Sequence, residues 1–303
     1  IILTYTQRFR RMLSLADKFQ LAAIWTIDVT AFFANLFLIW AIILKTPKKL
    51  RSYSVFLLNN ALIDLTTAIA SALSSVRVIE NHKELTCLFV FLGPCSIIGD
   101  NLCRMSHALH TNLLQHSTII LLLSFAYRLY ILSDILPSRT PPSRGQIWLM
   151  CSSVFFLTAP LTVSVYLQCI FNAARQMGYY LEGKVSFKDF IMTTRVMHLN
   201  MIICLISPIV LTAIFIIRRK LINRIAKSKT TDKRQHEFIA RALTYQMLLP
   251  CGAGVGVVMW VLDISQIWSS EFTERFIMVM FSVFSLASPL INLIVLTPYR
   301  ALL

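Results

Sequence analysis

Hydrophobic residues in this chain run in long unbroken stretches. Five stretches hold no Asp, Glu, Lys or Arg: 105–127, 145–174, 196–217, 242–262 and 276–299. Two more, 24–44 and 53–76, are interrupted by one acid each, Asp28 and Asp64. A helix crossing the hydrocarbon core of a bilayer takes about 20 apolar residues, so all seven are long enough. Strands of a membrane barrel would alternate apolar and polar over about ten residues, which these do not. The pattern predicts an all-α membrane protein. It is a seven-transmembrane helix bundle with spans near 24–44, 53–76, 100–130, 146–168, 190–217, 240–262 and 275–297. An eighth uncharged stretch, 85–99, is too short to span and is broken by Gly93 and Pro94, so it is expected as an ordered outer loop.

Seven spans leave only short loops and tails, so 1–303 reads as a single domain, with no internal repeat. Composition agrees: 56% of residues are hydrophobic and 14% charged, far from the balance of a soluble domain. With only eight Gly and seven Cys in 303 residues, collagen and dense disulfide scaffolds are excluded. The apolar content excludes disorder.

The net charge of +15 first suggests nucleic acid, but the basic residues cluster between the apolar stretches and not along one amphipathic face, so no nucleic-acid partner is expected. They mark topology instead. Lys and Arg concentrate on the cytoplasmic side of short loops. Loops one, three and five with the C-terminal tail hold 17 of the 29, including Arg128, Arg218, Arg219 and Lys220; the other side holds 12, four of them before the first span. This bias predicts an outward N-terminus. The chain opens at Ile1 without a secretory signal, so the first span is expected to act as its own signal.

Several short segments carry a resemblance. They are Lys45-Thr46-Pro47-Lys48-Lys49-Leu50-Arg51-Ser52-Tyr53 continuing through Asn60 to Asp64, then Gly93-Pro94-Cys95, Gln115-His116-Ser117, Ser124-Phe125-Ala126-Tyr127-Arg128, Gln246 to Pro250, and Pro298-Tyr299-Arg300. In this order, over nearly the whole chain, they resemble nematode chemoreceptors of serpentine receptor class delta, in the Str superfamily. The resemblance implies a seven-helix G-protein-coupled receptor without enzymatic activity, sensing a small-molecule ligand. Its other partners would be a heterotrimeric G protein and membrane lipid. Its place would be the plasma membrane, with the sensory cilium as candidate compartment.

Intramembrane carboxylates are costly and face polar partners inside a bundle. Counted at about 1.5 Å per residue from the inner helix ends, Asn35, Asp64, Ser285 and Ser288 share one level, about 15–20 Å deep. They form a candidate polar network that looks like the switch of rhodopsin-like receptors; the plainer alternative is a structural polar knot. Helix seven reads Ser288-Pro289-Leu290-Ile291-Asn292, a departure from the Asn-Pro-x-x-Tyr pattern of those receptors.

On helix three, Asp100, Arg104, His107 and Thr111 recur at helical spacing along one face, with His110 beside them, a candidate ligand site at the outer level. The plain alternative is bonding to neighbouring helices or water. Tyr127 and Arg128 stand where rhodopsin-like receptors carry an acid, Arg and Tyr, but no acid precedes the arginine, so no ionic lock to it can form. Together with Arg218, Arg219 and Lys220 they are the candidate G-protein-facing residues; the basic third inner loop would suit an acidic protein surface or anionic headgroups. If Arg128 takes the place of the arginine ending helix three in that wider class, Cys103 sits at the helix's outer mouth. The likeness then implies a Cys103–Cys169 bridge, with Cys87–Cys95 as a possible second and Cys95–Cys169 as the runner-up. Four cysteines allow three connectivities, so pairing stays open.

No cofactor is expected. His236-Glu237 lacks the second His of a zinc protease motif, and Gly252, Gly254 and Gly256 follow no strand and are not a dinucleotide fingerprint. Pro250 with those glycines is expected to kink helix six or to let a neighbour approach closely. A metal site at the helix-three histidines would need further ligands that no second cluster supplies. A seven-helix carrier or a non-signalling membrane protein remains the alternative, but repeat-built carriers show internal symmetry. An epitope tag fused before the first span should be reached by antibody on intact cells, and one fused after the last span only after permeabilisation; the reverse pattern would overturn the orientation.

Overall fold

The computed structural model describes residues 14–47, 53–81, 86–131, 142–175, 186–190, 195–227, 240–241, 243–264, 267–268, 270–296 and 299. Lys48, Lys49, Arg51, Arg139, His236, Glu237, Pro298 and Arg300 lie outside them, as do the basic residues before Ser14. Among the described residues seven long helices follow one another: α1 (Leu15–Lys45), α2 (Tyr53–Ser74), α3 (Asp100–Ile131), α4 (Arg144–Arg175), α5 (Arg195–Lys227), α6 (Leu248–Ile264) and α7 (Glu271–Val295). Three strands, β1 (Val76–Asn81), β2 (Thr86–Phe91) and β3 (Ser186–Phe190), form one antiparallel sheet in that order.

Local chemistry explains several helix ends. At the start of α1, Ser14 Oγ accepts from the Asp17 amide while the Asp17 carboxylate accepts from the Ser14 amide, a reciprocal cap. Ser143 and Gln146 repeat the device before α4. Residues 243–246 are helical, the chain turns at Met247, and α6 begins at Leu248. Pro250 therefore occupies the first turn of α6, where its missing N–H costs little, and the expected kink is an interruption ahead of it. Gly252 and Gly256 face Met280 and Phe281 of α7.

Among the described residues three helices are apolar and long enough to cross a membrane by length and composition: α1, α2 and the Arg275–Val295 part of α7. Large apolar side chains point outward from them and from other helices, among them Phe33 at 63% exposure and Leu157 at 77%. Contiguous exposed apolar surface of this kind belongs against lipid or a partner. The inward faces meet in one cluster that includes Leu38, Phe56, Ile120, Phe125, Ile147, Ile214, Leu221 and Leu293.

The stretch expected as a loop is the main departure from the all-helical expectation. Thr86–Phe91 is a strand, paired with β1 on one side and β3 on the other. Val76 lies opposite Phe91 and Val78 opposite Phe89, so four apolar side chains share the underside of the hairpin. They pack with Cys95, Cys103 and Ala108 and with Tyr166 and Met278 of α4 and α7. The sheet thus caps one end of the bundle. β2 reads Thr86-Cys87-Leu88-Phe89-Val90-Phe91, a short continuous apolar run that periodicity alone does not distinguish from a buried helical segment.

The cap is tied down in three ways. Asp17 of α1 takes Arg77 of β1 at 2.7 Å and Arg275 of α7 at 3.4 Å, its side chain only 3% exposed. Gln20 Nε2 donates to the Val76 carbonyl at 3.1 Å. A disulfide joins Cys95 and Cys103. This last bond corrects the expected Cys103–Cys169 pairing and its companion Cys87–Cys95. Cys95 sits on a helical turn, Cys95–Ile98, after which the chain reverses at Gly99 into α3, bringing the two Cα atoms to 4.9 Å. The side chains of Cys87 and Cys169 lie outside the described residues.

Gly93 is where the cap meets α2. Its amide donates to the Ser74 carbonyl at 3.2 Å, and a Cβ there would collide with the carbonyl of Leu73. Gly93→Ala should lower stability by roughly 1–3 kcal/mol, read as a fall in melting temperature in detergent; Gly252→Ala, whose Cβ would meet ordinary contact distances, should change it far less. Cys95→Ser and Cys103→Ser should reduce surface delivery to the same degree, and unequal effects would argue against their pairing.

Candidate functional site

A column of buried polar groups runs through the contact of α1, α2, α3 and α7. At its upper level Asp28 lies beside Ser71 and Ser282, whose hydroxyls bond each other at 3.0 Å. Asp28 is 1% exposed, enclosed between α2 and α7. Two helical turns along α1, Asn35 donates to the Ser285 carbonyl at 3.2 Å and to its own Ala31 carbonyl at 2.9 Å.

Asn60 is the centre of the next level. Its amide group donates to Asp64 Oδ2 at 3.2 Å and to Ser288 Oγ at 3.0 Å, while its oxygen accepts from Ser117 Oγ at 3.2 Å. One side chain on α2 therefore bonds within its own helix, to α7 and to α3. Below it a cavity of about 10 Å³, near the size of one water, is lined by Asn60, Ser124, Tyr53, Phe56 and Gln246 among others.

At the end away from the sheet Arg128 lies over the Tyr53 ring, 3.9 Å from its centroid, and 6.0 Å from that of Tyr127. Tyr127 in turn packs on Phe56 with ring centroids 5.1 Å apart. Tyr299, fully buried, bonds Thr46 at the end of α1 at 3.0 Å. A cation over an aromatic face is held by the ring quadrupole, worth about 2 kcal/mol or more once desolvated.

Among the sequence-predicted residues, Asn35, Asp64, Ser285 and Ser288 all lie in the column, though Asn35 meets the Ser285 backbone and the Ser285 hydroxyl has no hydrogen-bond partner. The outer group divides. Asp100 and Arg104 approach each other at 3.6 Å on the first turn of α3. Thr111 donates to the His107 carbonyl at 3.0 Å. His107 lies under the hairpin, with ring centroids 5.5 Å from Phe89 and 6.1 Å from Phe91. His110 is buried with no hydrogen-bond partner at Nε2. His107 thus lies beneath the cap and His110 is buried near it, at the level expected for a ligand site.

Tyr127 and Arg128, expected to face a G protein, are instead buried, at 4% and 6% exposure. With no acid before it, the arginine turns inward onto Tyr53. Arg219 and Lys220 are exposed and Arg218 is half-buried.

A family model described as serpentine type 7TM GPCR chemoreceptor Srd matches residues 22–303. The chain belongs to the Srd chemoreceptor family. Curated relatives from Caenorhabditis elegans agree. Serpentine receptor class delta-18 is 28% identical over 297 residues, covering 91% of this chain and 85% of that receptor. Serpentine receptor class delta-19 is 27% identical over 296 residues, covering 91% and 84%, and serpentine receptor class delta-1 is 28% identical over 286 residues, covering 88% and 75%. The Srd chain is therefore an integral membrane protein of a seven-transmembrane receptor family, as its apolar stretches and short motifs foretold.

The sequence reading of this Srd chain missed Asn60, although its position four residues before Asp64 places both on one helix face. It also passed over Ser71 and Ser282, which carry no signal apart from being small polar residues in apolar helices, and the Asp17–Arg77–Arg275 cluster, whose members are far apart in sequence. Asn60→Ala would leave Asp64, Ser288 and Ser117 without their shared partner. It should cost about 1–3 kcal/mol by thermal unfolding in detergent, and a cost within error of Asn59→Ala would sink the central role of Asn60.

Proposed function

We propose that this chain is a chemosensory receptor whose small-molecule ligand acts at the capped end, near His107 and His110, and whose opposite end engages a heterotrimeric G protein. The observation that carries this reading is the set of bonds made by Asn60, which joins α2 to α3 and α7 midway between the two ends. A side chain shared by three helices has few intermediate positions, so the helices exchange between discrete arrangements, as a receptor requires. The family's chemoreceptor description and the basic bias of the first, third and fifth loops support the same reading and an outward N-terminus.

In this account the ligand gains differential affinity by replacing Phe89 and Phe91 against His107, because a ligand shifts an equilibrium only as far as it prefers one state. The polar column passes the change to the level of Arg128. Release of Arg128 from Tyr53 would then expose a cation beside Arg218, Arg219 and Lys220. The receptor would act at the plasma membrane, the sensory cilium being the compartment to examine first.

Cells expressing the chain, exposed to a panel of volatile and water-soluble small molecules, should give a second-messenger response to at least one. His110→Ala should weaken that response without lowering surface level. Tyr53→Ala should raise basal signalling by freeing Arg128. Ligand-driven uptake with no second-messenger change would overturn the receptor reading in favour of a carrier.

A further inference from the structure

A cavity of about 470 Å³ opens between the last turns of α5 and the helical residues that precede α6. Its volume falls in the roughly 300–1,000 Å³ range of small-ligand pockets. Arg218, Ile222 and Ile225 line one wall, and Arg241, Thr244 and Tyr245 the other. Arg218 Nε donates to Thr244 Oγ1 at 3.1 Å, and the Thr244 hydroxyl is itself oriented by donating to the Ala240 carbonyl at 2.7 Å. The guanidinium is thereby fixed across the cleft, toward the wall that carries Arg241. Among the described residues no acidic side chain pairs with either arginine.

Charge and apolarity are arranged in two parts. Two guanidinium groups supply planar donor sets suited to phosphate oxygens. Ile222 and Tyr245, 40% and 49% exposed, form an apolar rim beside them. A ligand matching both is an anionic amphiphile. A single phosphodiester would satisfy one arginine, whereas facing arginines on two walls suit a headgroup bearing several phosphates.

We propose that Arg218 and Arg241 form a site for a polyphosphorylated inositol lipid, its headgroup between the two arginines and its glycerol and acyl chains along Ile222 and Tyr245. Access to this lipid rests on the inward orientation of residues 218–241 adopted above, since anionic lipids face the cytoplasm. The bound headgroup bridges α5 to residues 240–245. It therefore favours the arrangement in which these elements stand at this separation, and it couples lipid content to the state of the bundle.

The full chain is placed in nanodiscs of phosphatidylcholine alone, of phosphatidylcholine with phosphatidylinositol bisphosphate, and of phosphatidylcholine with phosphatidylserine at matched total charge, and retained lipid is read by native mass spectrometry. The bisphosphate lipid should be retained and phosphatidylserine should not. The Arg218→Gln, Arg241→Gln double variant should weaken retention by about tenfold or more; Arg224→Gln, a neighbouring charge outside the cavity, should leave it unchanged. If the double variant does not fold, Arg241→Gln alone, at an exposed side chain, should weaken retention in the same direction. Equal retention of phosphatidylserine, an equal effect of Arg224→Gln, or no effect of Arg241→Gln would overturn the site. Binding of soluble inositol trisphosphate without retention of the lipid would identify a free-phosphate site and also overturn it. Nanodiscs present lipid on both faces and the readout involves no G protein, so failure of this site and failure of the receptor reading are separate outcomes.

Discussion

In hydrocarbon a polar side chain has no solvent to bond, and its partners must come from the rest of the chain. That constraint organises this protein. Asp28, Asn35, Asn60, Asp64, Ser117, Ser282, Ser285 and Ser288 are spread over four helices, and every one of them is turned inward to the same seam. The seam aligns α1, α2, α3 and α7, while outward faces carry residues such as Phe33 and Leu157 that suit lipid. Asn60 sits at its centre because an amide offers two donors and an acceptor on one short side chain. That is enough to serve Asp64, Ser288 and Ser117 at once.

The two ends of the seam are closed by different chemistry. At one end the hairpin presses Phe89 and Phe91 onto His107, and the Asp17–Arg77–Arg275 cluster and the Cys95–Cys103 bridge hold it there. A buried carboxylate shared by two arginines is costly to break from either side, since the loss of one partner leaves charge stranded. At the other end Arg128 rests on Tyr53, an aromatic substitute for the acid that does not precede it. Three groups of polar contacts, at Ser71–Ser282, Asn35–Ser285 and Asn60, therefore lie between a capped end and an aromatic-held cation, with a water-sized cavity between Asn60 and Tyr53.

Much of this was legible in the order of residues. Long uncharged stretches predict helices because in lipid each segment must satisfy its own backbone hydrogen bonds, and one long helix contains or overlaps each of those stretches, with ends that differ by up to about ten residues. Asp64, Asn35, Ser285 and Ser288 were found by depth alone, because equal distances from the helix ends put residues at equal levels. The hairpin was not found: its second strand is a short continuous apolar run with no period of its own, and a strand is stabilised by partners elsewhere in the chain. The same reason hid the bridge partner of Cys103, which depends on the reversal at Gly99.

By itself the sequence determined the number of long helices, the family, and which polar residues stand at similar depth, since all of these depend on composition within a segment or on short motifs. Only the tertiary structure decided which of those residues touch, that Arg128 turns inward to Tyr53, and that a sheet covers His107 of α3. Contacts across helices depend on rotation about each helix axis. That rotation is set by the sum of packing and polar pairing over the whole bundle, and no single stretch of residues encodes it.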